Sequence, residues 1–214
     1  MAKLRFKISM SLDGFVAGPS QSVENPLGIG GGRLHEWVFQ LAVFRALLSL
    51  EGGEVNESTA VVEESLANIG ATVMGRNKFG EHPGPWDAKS PWNGWWGINP
   101  PFHHPVFVLT HHARESLELE GGTTFTFVTS GIETALELAL RAAGGQDVSL
   151  GGGASAAQQY LAAGLVDEME INLVPTLLGS GERLFDGVGD NRHGLDLVRT
   201  VAAPGVTHLK FAKR

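Results

Sequence analysis

Three consecutive glycines, Gly151, Gly152 and Gly153, lie between a short apolar run ending at Leu150 and an Ala/Gln/Leu-rich stretch that continues to Leu161. The run has strand character and the stretch has helical preference, so this part of the chain reads as strand, tight turn, helix. Such a joint suits an anion. Glycine lets the backbone approach a ligand and take up positive φ, while the first N–H groups of the following helix point outward with the positive end of its dipole. A Gly-rich turn that binds nothing is the plainer alternative, and the rest of the chain must decide between them.

Residues 3–11 alternate strictly, with Leu4, Phe6, Ile8 and Met10 on one face and Lys3, Arg5, Lys7 and Ser9 on the other, which predicts a strand with one covered face. Residues 11–18 follow as a bent, ligand-facing loop built on Asp13-Gly14, and residues 19–32, rich in Gly, Ser and Pro, read as a mobile surface excursion. Apolar residues from Leu34 to Leu48 keep helical spacing and predict one amphipathic helix over residues 34–50. Asn56 is placed to cap a second helix that runs to Ile69 and stops at Gly70. Residues 71–75 and 105–110 read as buried strands and residues 123–128 as an alternating one, and Ser130 to Glu133 has capping-box spacing ahead of a helix ended by Gly144-Gly145. In residues 167–174, Met169, Ile171 and Leu173 alternate with Glu168, Glu170 and Asn172; residues 175–187 read as a loop and 206–213 as the last strand. Strands alternating with helices predict an α/β sandwich whose final strands pair without intervening helices.

The 214 residues read as a single domain, 1–214, with a Trp/Pro-rich loop at 81–105 that holds four of the five tryptophans. Trp86, Trp92, Trp95, Trp96 and Phe102 there suit an apolar wall or lid, a satellite core or a subunit contact. No apolar run approaches the roughly 20 residues needed to span a bilayer, and the charged start at residues 3–7 is not a signal peptide, so a cytoplasmic protein is expected. The chain has no cysteine, hence no disulfide or thiolate chemistry. A net charge of −7 without any Lys/Arg cluster argues against nucleic acid and anionic membranes as partners. Any bound anion is then held locally. Arg76, just after Gly75 at a strand end, offers a bidentate fork for a phosphate, or pairs with a surface carboxylate.

Three further constellations are weaker. His82, His103, His104, His111 and His112 crowd one region, but adjacent histidines on extended chain face opposite ways and do not converge on one ion, so no metal is expected. Gly151 to Ala156 formally satisfies the G-x-G-x-x-A dinucleotide fingerprint, yet too late in the chain for the βαβαβ half that should follow. A nucleophile at Ser155, as in an acyl transferase, lacks a G-x-S-x-G elbow and a histidine partner legible in the sequence.

Ser9-Met-Ser-Leu-Asp-Gly-Phe-Val-Ala-Gly18, Val73-Met-Gly-Arg-Asn-Lys-Phe79, Pro105-Val-Phe-Val-Leu-Thr110, Gly151-Gly-Gly-Ala-Ser155 and Leu165-Val-Asp-Glu168 occur in the order seen in the dihydrofolate-reductase-like family. The chain most resembles the branch containing the reductase domain of bifunctional riboflavin-biosynthesis deaminase-reductases. The resemblance implies a three-layer α/β sandwich with a mixed, mostly parallel sheet of about eight strands flanked by helices, and NADPH across the strand ends. It places Gly75 and Arg76 at the adenosine phosphates, Arg76 at the 2′-phosphate, Thr110 near the adenosine ribose, and Gly152, Gly153, Ala154 and Ser155 at the pyrophosphate. Val16, Ala17 and Gly18 are implied to border the nicotinamide, and Asp13 is the candidate catalytic residue, orienting substrate or relaying a proton. As a turn residue, Asp13 has a plainer role in capping Phe15 or Val16.

True dihydrofolate reductases carry an acid on the first long helix, and residues 33–50 offer only Glu36. The sequence contains no His-x-Glu and Cys-x-x-Cys deaminase motif, which implies a reductase-only protein. The expectation is an NADPH-dependent reductase of a small-molecule substrate, a homodimer like its relatives. A non-catalytic nucleotide-binding or interaction protein and dihydrofolate reductase proper are the alternatives.

Overall fold

The computed structural model describes residues 1–80, 84–87, 89, 92–189 and 194–213. In chain order the elements are β1 (Leu4–Ser11), β2 (Phe15–Ala17), α1 (Glu36–Phe39), α2 (Ala42–Leu47), α3 (Glu57–Leu66), β3 (Ile69–Gly75), α4 (Arg76–Phe79), β4 (Pro105–Leu109), β5 (Leu117–Glu118) and β6 (Thr124–Val128). They continue with α5 (Ile132–Ala142), β7 (Asp147–Leu150), α6 (Ala154–Ala162), β8 (Glu168–Val174), β9 (Glu182–Arg183), β10 (Leu195–Ala203) and β11 (Val206–Lys213). Among the described residues nine strands form the mixed sheet, close to the eight expected, and β2 pairs separately with β9. Packing divides the chain into two compact units: Met1–Phe6 with Asn68–Leu165, and Lys7–Ala67 with Val166–Arg214. The strand β1 belongs to both.

In the first unit the order is β1, β7, β3, β4, β6, β5, parallel throughout except for β5 at the edge. Strands of this kind are covered on both faces and read as apolar runs. Accordingly Ala71, Val73 and Met74 of β3 and Val106 and Val108 of β4 are fully buried. Helix α5 lies across β3 and β4 and turns Ala135, Leu136 and Ala139 inward. Helix α6 buries Ala156, Ala157, Tyr160 and Leu161, and the Tyr160 hydroxyl donates to the Ile132 carbonyl over 2.8 Å. The expected side-chain cap at Ser130 is not formed. Gly131 is the N-cap of α5, and the Ser130 carbonyl accepts the Thr134 hydroxyl instead.

In the second unit β10 and β11 form an antiparallel hairpin, β11 pairs antiparallel with β8, and β8 is followed by β1. The single helix expected over residues 34–50 is broken into a 3-10 turn at Gly31–Leu34 and the short helices α1 and α2. Leu41 is extended and fully buried, and the backbone around it bonds to Glu54: the Glu54 N–H donates to Gln40 over 2.7 Å and the Ala42 N–H to Glu54 over 2.8 Å. Tertiary pairing overrides the helical period here. Asn56 does cap α3, reciprocated by the Thr59 hydroxyl, but the helix ends at Leu66, and Ile69 and Gly70 already belong to β3.

Two further corrections concern exposure. Glu170 and Asn172 alternate with the apolar residues of β8, yet both are buried and Leu173 is only half-buried: Arg199 of β10 pairs with Glu170 and His208 of β11 bonds Asn172, and α3 meets those two partners through Glu64 and Ser58. The excursion at residues 19–32, expected to be mobile, is tied down: Leu27 accepts the Gly18 N–H over 2.9 Å and Pro19 accepts that of Ile29 over 2.8 Å. The expected loops at residues 11–18 and 175–187 contain the paired strands β2 and β9, and β10 is an element the pattern did not announce.

Candidate functional site

The residues expected to meet the cofactor's phosphates and adenosine ribose come from three separate stretches, and the first unit brings them to one place. The strands β7, β3 and β4 are neighbours in parallel register, with Gly75 opposite Leu109, so Gly151, Gly75 and Thr110 all stand at or just beyond carboxyl ends of adjacent strands. Ligand sites of open parallel sheets lie there. The Gly75 N–H donates to the Gly152 carbonyl over 2.8 Å, which joins the two strand-to-helix junctions directly. Gly152 has φ 94°, a left-handed value that disfavours a side chain, and a Cβ built on Gly152 or Gly153 would meet no protein atom within 4 Å. On Gly75 the same Cβ would come 3.2 Å from that of Ala156. The turn is thus open at Gly152 and Gly153 and crowded at Gly151, where a Cβ would come 3.2 Å from Thr72 Cγ2 of β3.

Gly153 caps α6, whose first turn contains Ala154 and an exposed Ser155, and the N–H groups of such a turn have no partner within the helix. Arg76 opens α4, and its guanidinium lies over the face of Trp86, 3.0 Å from the ring centroid. Thr110 is buried; its N–H donates to Val128 over 3.0 Å and its hydroxyl oxygen accepts the His112 N–H over 3.2 Å. Backbone donors on a nine-residue helix, an arginine, and no acid among these residues form a donor set that fits a dinucleotide's phosphates.

Asp13, Val16, Ala17 and Gly18 belong to the second unit. Asp13 accepts the Ser11 hydroxyl over 2.6 Å and the backbone N–H groups of Leu178 and Gly179 over 3.2 and 2.7 Å. The Ser11 hydroxyl, helped by those amides, draws the Asp13 carboxyl down to about 2 despite some burial. It is Ser11, not Asp13, that accepts the Phe15 N–H, over 2.9 Å. Val16 and Ala17 are buried, and the backbone beyond them is packed so closely that a Cβ on Gly18 would fall 2.0 Å from the Ile29 carbonyl oxygen and one on Gly181 2.1 Å from that of Ala17. Three loops are therefore locked together, with Asp13 as one of the ties.

Several functional-looking groups lay beyond sequence reasoning. Ser58, His208 and Asn172 form a relay, His208 Nε2 to Ser58 Oγ at 2.8 Å and Nδ1 to Asn172 Oδ1 at 2.7 Å, but all three are sealed at 1–2% exposure. This Ser-His pair pins α3 to β11 and β8 and is closed to substrate. Glu36 opens α1 and, with Arg33, Trp37, Gln40 and Glu54, lines a cavity of about 430 Å³ within the second unit. Of this set the sequence singled out Glu36 alone, as the acid of the stretch 33–50; nothing in the spacing relates it to Glu54. In the first unit Trp86, Trp92, Trp96 and Phe102 pack on the cluster of Met74, Phe79, Val106, Val108, Phe125 and Phe127, which makes this part of the loop an outer layer of the core. His104 bonds Thr72 over 2.8 Å and His103 the Gly121 carbonyl over 2.9 Å, while His82 lies outside the described residues. Among the described residues no group of three or more His, Asp or Glu side chains is placed to hold a metal, and no helix is long and apolar enough to cross a membrane.

A mixed, mostly parallel sheet flanked by helices, with open glycine turns at the strand ends, defines a dihydrofolate-reductase-like α/β protein. The chain belongs to the RibD C-terminal domain family, whose model matches residues 2–209, and that family is a reductase domain. No curated protein matches the sequence. Among solved structures it is similar to a Shewanella sp. PV-4 protein assigned to riboflavin biosynthesis, with 20% identity, TM-score 0.63 and 99% of each chain covered. Acinetobacter baumannii RibD is 19% identical at TM-score 0.59 over 100% of this chain and 58% of that one. Dihydrofolate reductase from Enterococcus faecalis, solved with NADP(H) and RAB-propyl, is 12% identical at TM-score 0.51, covering 99% of this chain and 96% of its own. At these identities the likeness shows the fold. The chain spans little more than half of the RibD protein.

Proposed function

We propose that this protein is an NADPH-dependent reductase that acts on a small organic acceptor. The observation that carries the reading is the convergence of Gly75-Arg76, Thr110 and Gly152 to Ser155 at adjacent carboxyl strand ends, joined by the bond between Gly75 and Gly152. Membership of the RibD C-terminal domain family and the NADP(H) bound to the Enterococcus enzyme support it.

Gly152 and Gly153 let the backbone approach the pyrophosphate, and the N–H groups of Ala154 and Ser155 donate to its oxygens. Arg76 pairs with the 2′-phosphate through two in-plane N–H groups, and Thr110 lies beside the adenosine ribose. The cofactor, when bound, supplies the hydride and leaves as NADP⁺. For Val16, Ala17 and Gly18 the nicotinamide-facing role rests on the family resemblance, and their packed backbone gives that role a rigid surface. Asp13, held at about 2, orients its loop as an anion and is a poor proton donor near neutrality.

Calorimetric titration with NADPH and NADH tests the reading. Saturable NADPH binding is expected, with a preference over NADH that Arg76→Ala reduces by roughly ten- to a hundredfold, the value of charge-assisted hydrogen bonds. Failure of either nucleotide to bind would remove the reductase reading.

A further inference from the structure

Trp86 sits in an aperiodic part of the chain, and the reductase reading assigns it no task. Its surroundings are unusual for a core tryptophan. A core indole normally lays its face on apolar groups, whereas the face of Trp86 carries the Arg76 guanidinium at 3.0 Å. Its apolar contacts are edge-to-face, with Phe127 at 4.9 Å and Phe79 at 5.9 Å between centroids. The indole N–H donates to the His112 carbonyl over 2.7 Å. A second guanidinium, Arg114, stands 5.0 Å from the same ring and is itself fixed by the Trp92 carbonyl and by Asn93.

These contacts join the ends of two neighbouring strands. Arg76 follows β3 directly and His112 lies just beyond β4, two residues past Thr110, which receives the His112 N–H. The ring is therefore held by one strand end and holds the arginine of the other. A guanidinium stacked on an indole keeps its N–H donors in the ring-parallel plane, so that the face is fixed by the stack and polar partners are met at the edge. An unstacked arginine side chain would have to be ordered at the moment of binding, at a cost in rotamer entropy.

We propose that Trp86 is the positioning residue for Arg76, and that the stack sets the preference of this site for a 2′-phosphorylated adenosine over an unphosphorylated one. The inference rests on the reading of Arg76 as the 2′-phosphate contact.

The experiment is a calorimetric comparison of the wild type, Trp86→Leu, Trp86→Phe and Arg76→Ala. The probes are NADPH, NADH, adenosine 2′,5′-bisphosphate and 5′-AMP. Trp86→Leu is expected to cut the NADPH-over-NADH and bisphosphate-over-AMP preferences by about tenfold while NADH and AMP affinities stay within about twofold. Trp86→Phe, which keeps a weaker ring, is expected to cut them by about threefold. Should Trp86→Leu not fold, the Phe variant decides alone, since an undiminished preference there overturns the proposal. Equal weakening of phosphorylated and unphosphorylated probes would mark Trp86 as packing only and also overturn it. Arg76→Ala separates the two readings: a preference that survives this change removes the phosphate role of Arg76 itself, whereas a preference lost in Arg76→Ala and intact in both Trp86 variants removes only the role of Trp86.

Discussion

Asp13 illustrates how a residue can be found by pattern and understood only by contact. Its place in Ser-Leu-Asp-Gly made it a candidate for proton relay, but its oxygens receive the Ser11 hydroxyl and the amides of Leu178 and Gly179. A carboxyl held at about 2, below the ordinary 3.8, gives its stabilisation fully above the ordinary value and loses it as pH falls toward 2. Amide hydrogen exchange at Leu178 and Gly179 is therefore expected to stay slow from pH 8 to about 4, and to quicken by roughly tenfold or more in Asp13→Ala. Unchanged exchange in that variant would show that the loop is held by its glycine contacts alone. The position of Arg76 directly after a strand end was legible for a simple reason, a basic residue following a glycine that closes an apolar run. Its partner Trp86 was not, because no period or spacing relates an aperiodic loop to the strand end it packs on.

Elements with a strong period and a clear stop were legible: β1, β3, β4, β6, β7, α5 and α6 lie within a residue or two of their expected places. Those that depend on distant backbone pairing were not. Residues 34–50 carry a helical period, yet Leu41 is drawn into the core and paired beside Glu54, which splits the helix. The strand β10 has mixed burial along its length and a register shift between Leu197 and Arg199, so no clean alternation announces it. The helix α3 was anticipated through its cap but not through what it covers. Its Ser58 meets His208, and its Glu64 meets Arg199 and Lys210. Burial, reinforced by the charges of Arg199 and Lys7, holds His208 at about 4, below its ordinary 6.5, so the folded protein keeps it neutral. Between these values the unfolded chain binds the extra proton; stability is full above 6.5 and falls as pH drops toward 4, by on the order of 2 kcal/mol after allowance for screening. In His208→Gln, urea denaturation at pH 7 should show a less stable protein whose stability changes less from pH 7 to 4.5. An equal slope in both proteins would assign the acid sensitivity to other groups. Burial alone would raise Glu64, but its bonds to Lys210 and Arg199 hold it below the usual carboxylate range, so its contribution is lost only at lower pH.

At the scale of the whole molecule, the family and the fold were legible because motifs spread over the chain kept their order, a signal that needs no side-chain geometry. The division into two compact units was not, since β1 runs through both and no linker marks a boundary. That division gives the cofactor reading a thermodynamic consequence. The residues proposed for the adenosine and phosphates, Gly75, Arg76, Thr110 and Gly152 to Ser155, all belong to the first unit. A ligand that binds only the folded state stabilises it by mass action, about 2.7 kcal/mol at a hundredfold excess over Kd. For a chain of 214 residues this corresponds to a rise in Tm of roughly 5–10 °C. NADPH at that excess is expected to produce such a rise, NADH at the same concentration a smaller one, and Arg76→Ala to bring the two together. If the chain melts in one calorimetric transition, that transition moves as a whole. If it melts in two, only the transition of the unit containing Met1–Phe6 and Asn68–Leu165 should respond to adenosine 2′,5′-bisphosphate. A shift confined to the other transition would place the adenosine phosphates on the wrong half of the chain and overturn the assignment of all these residues together.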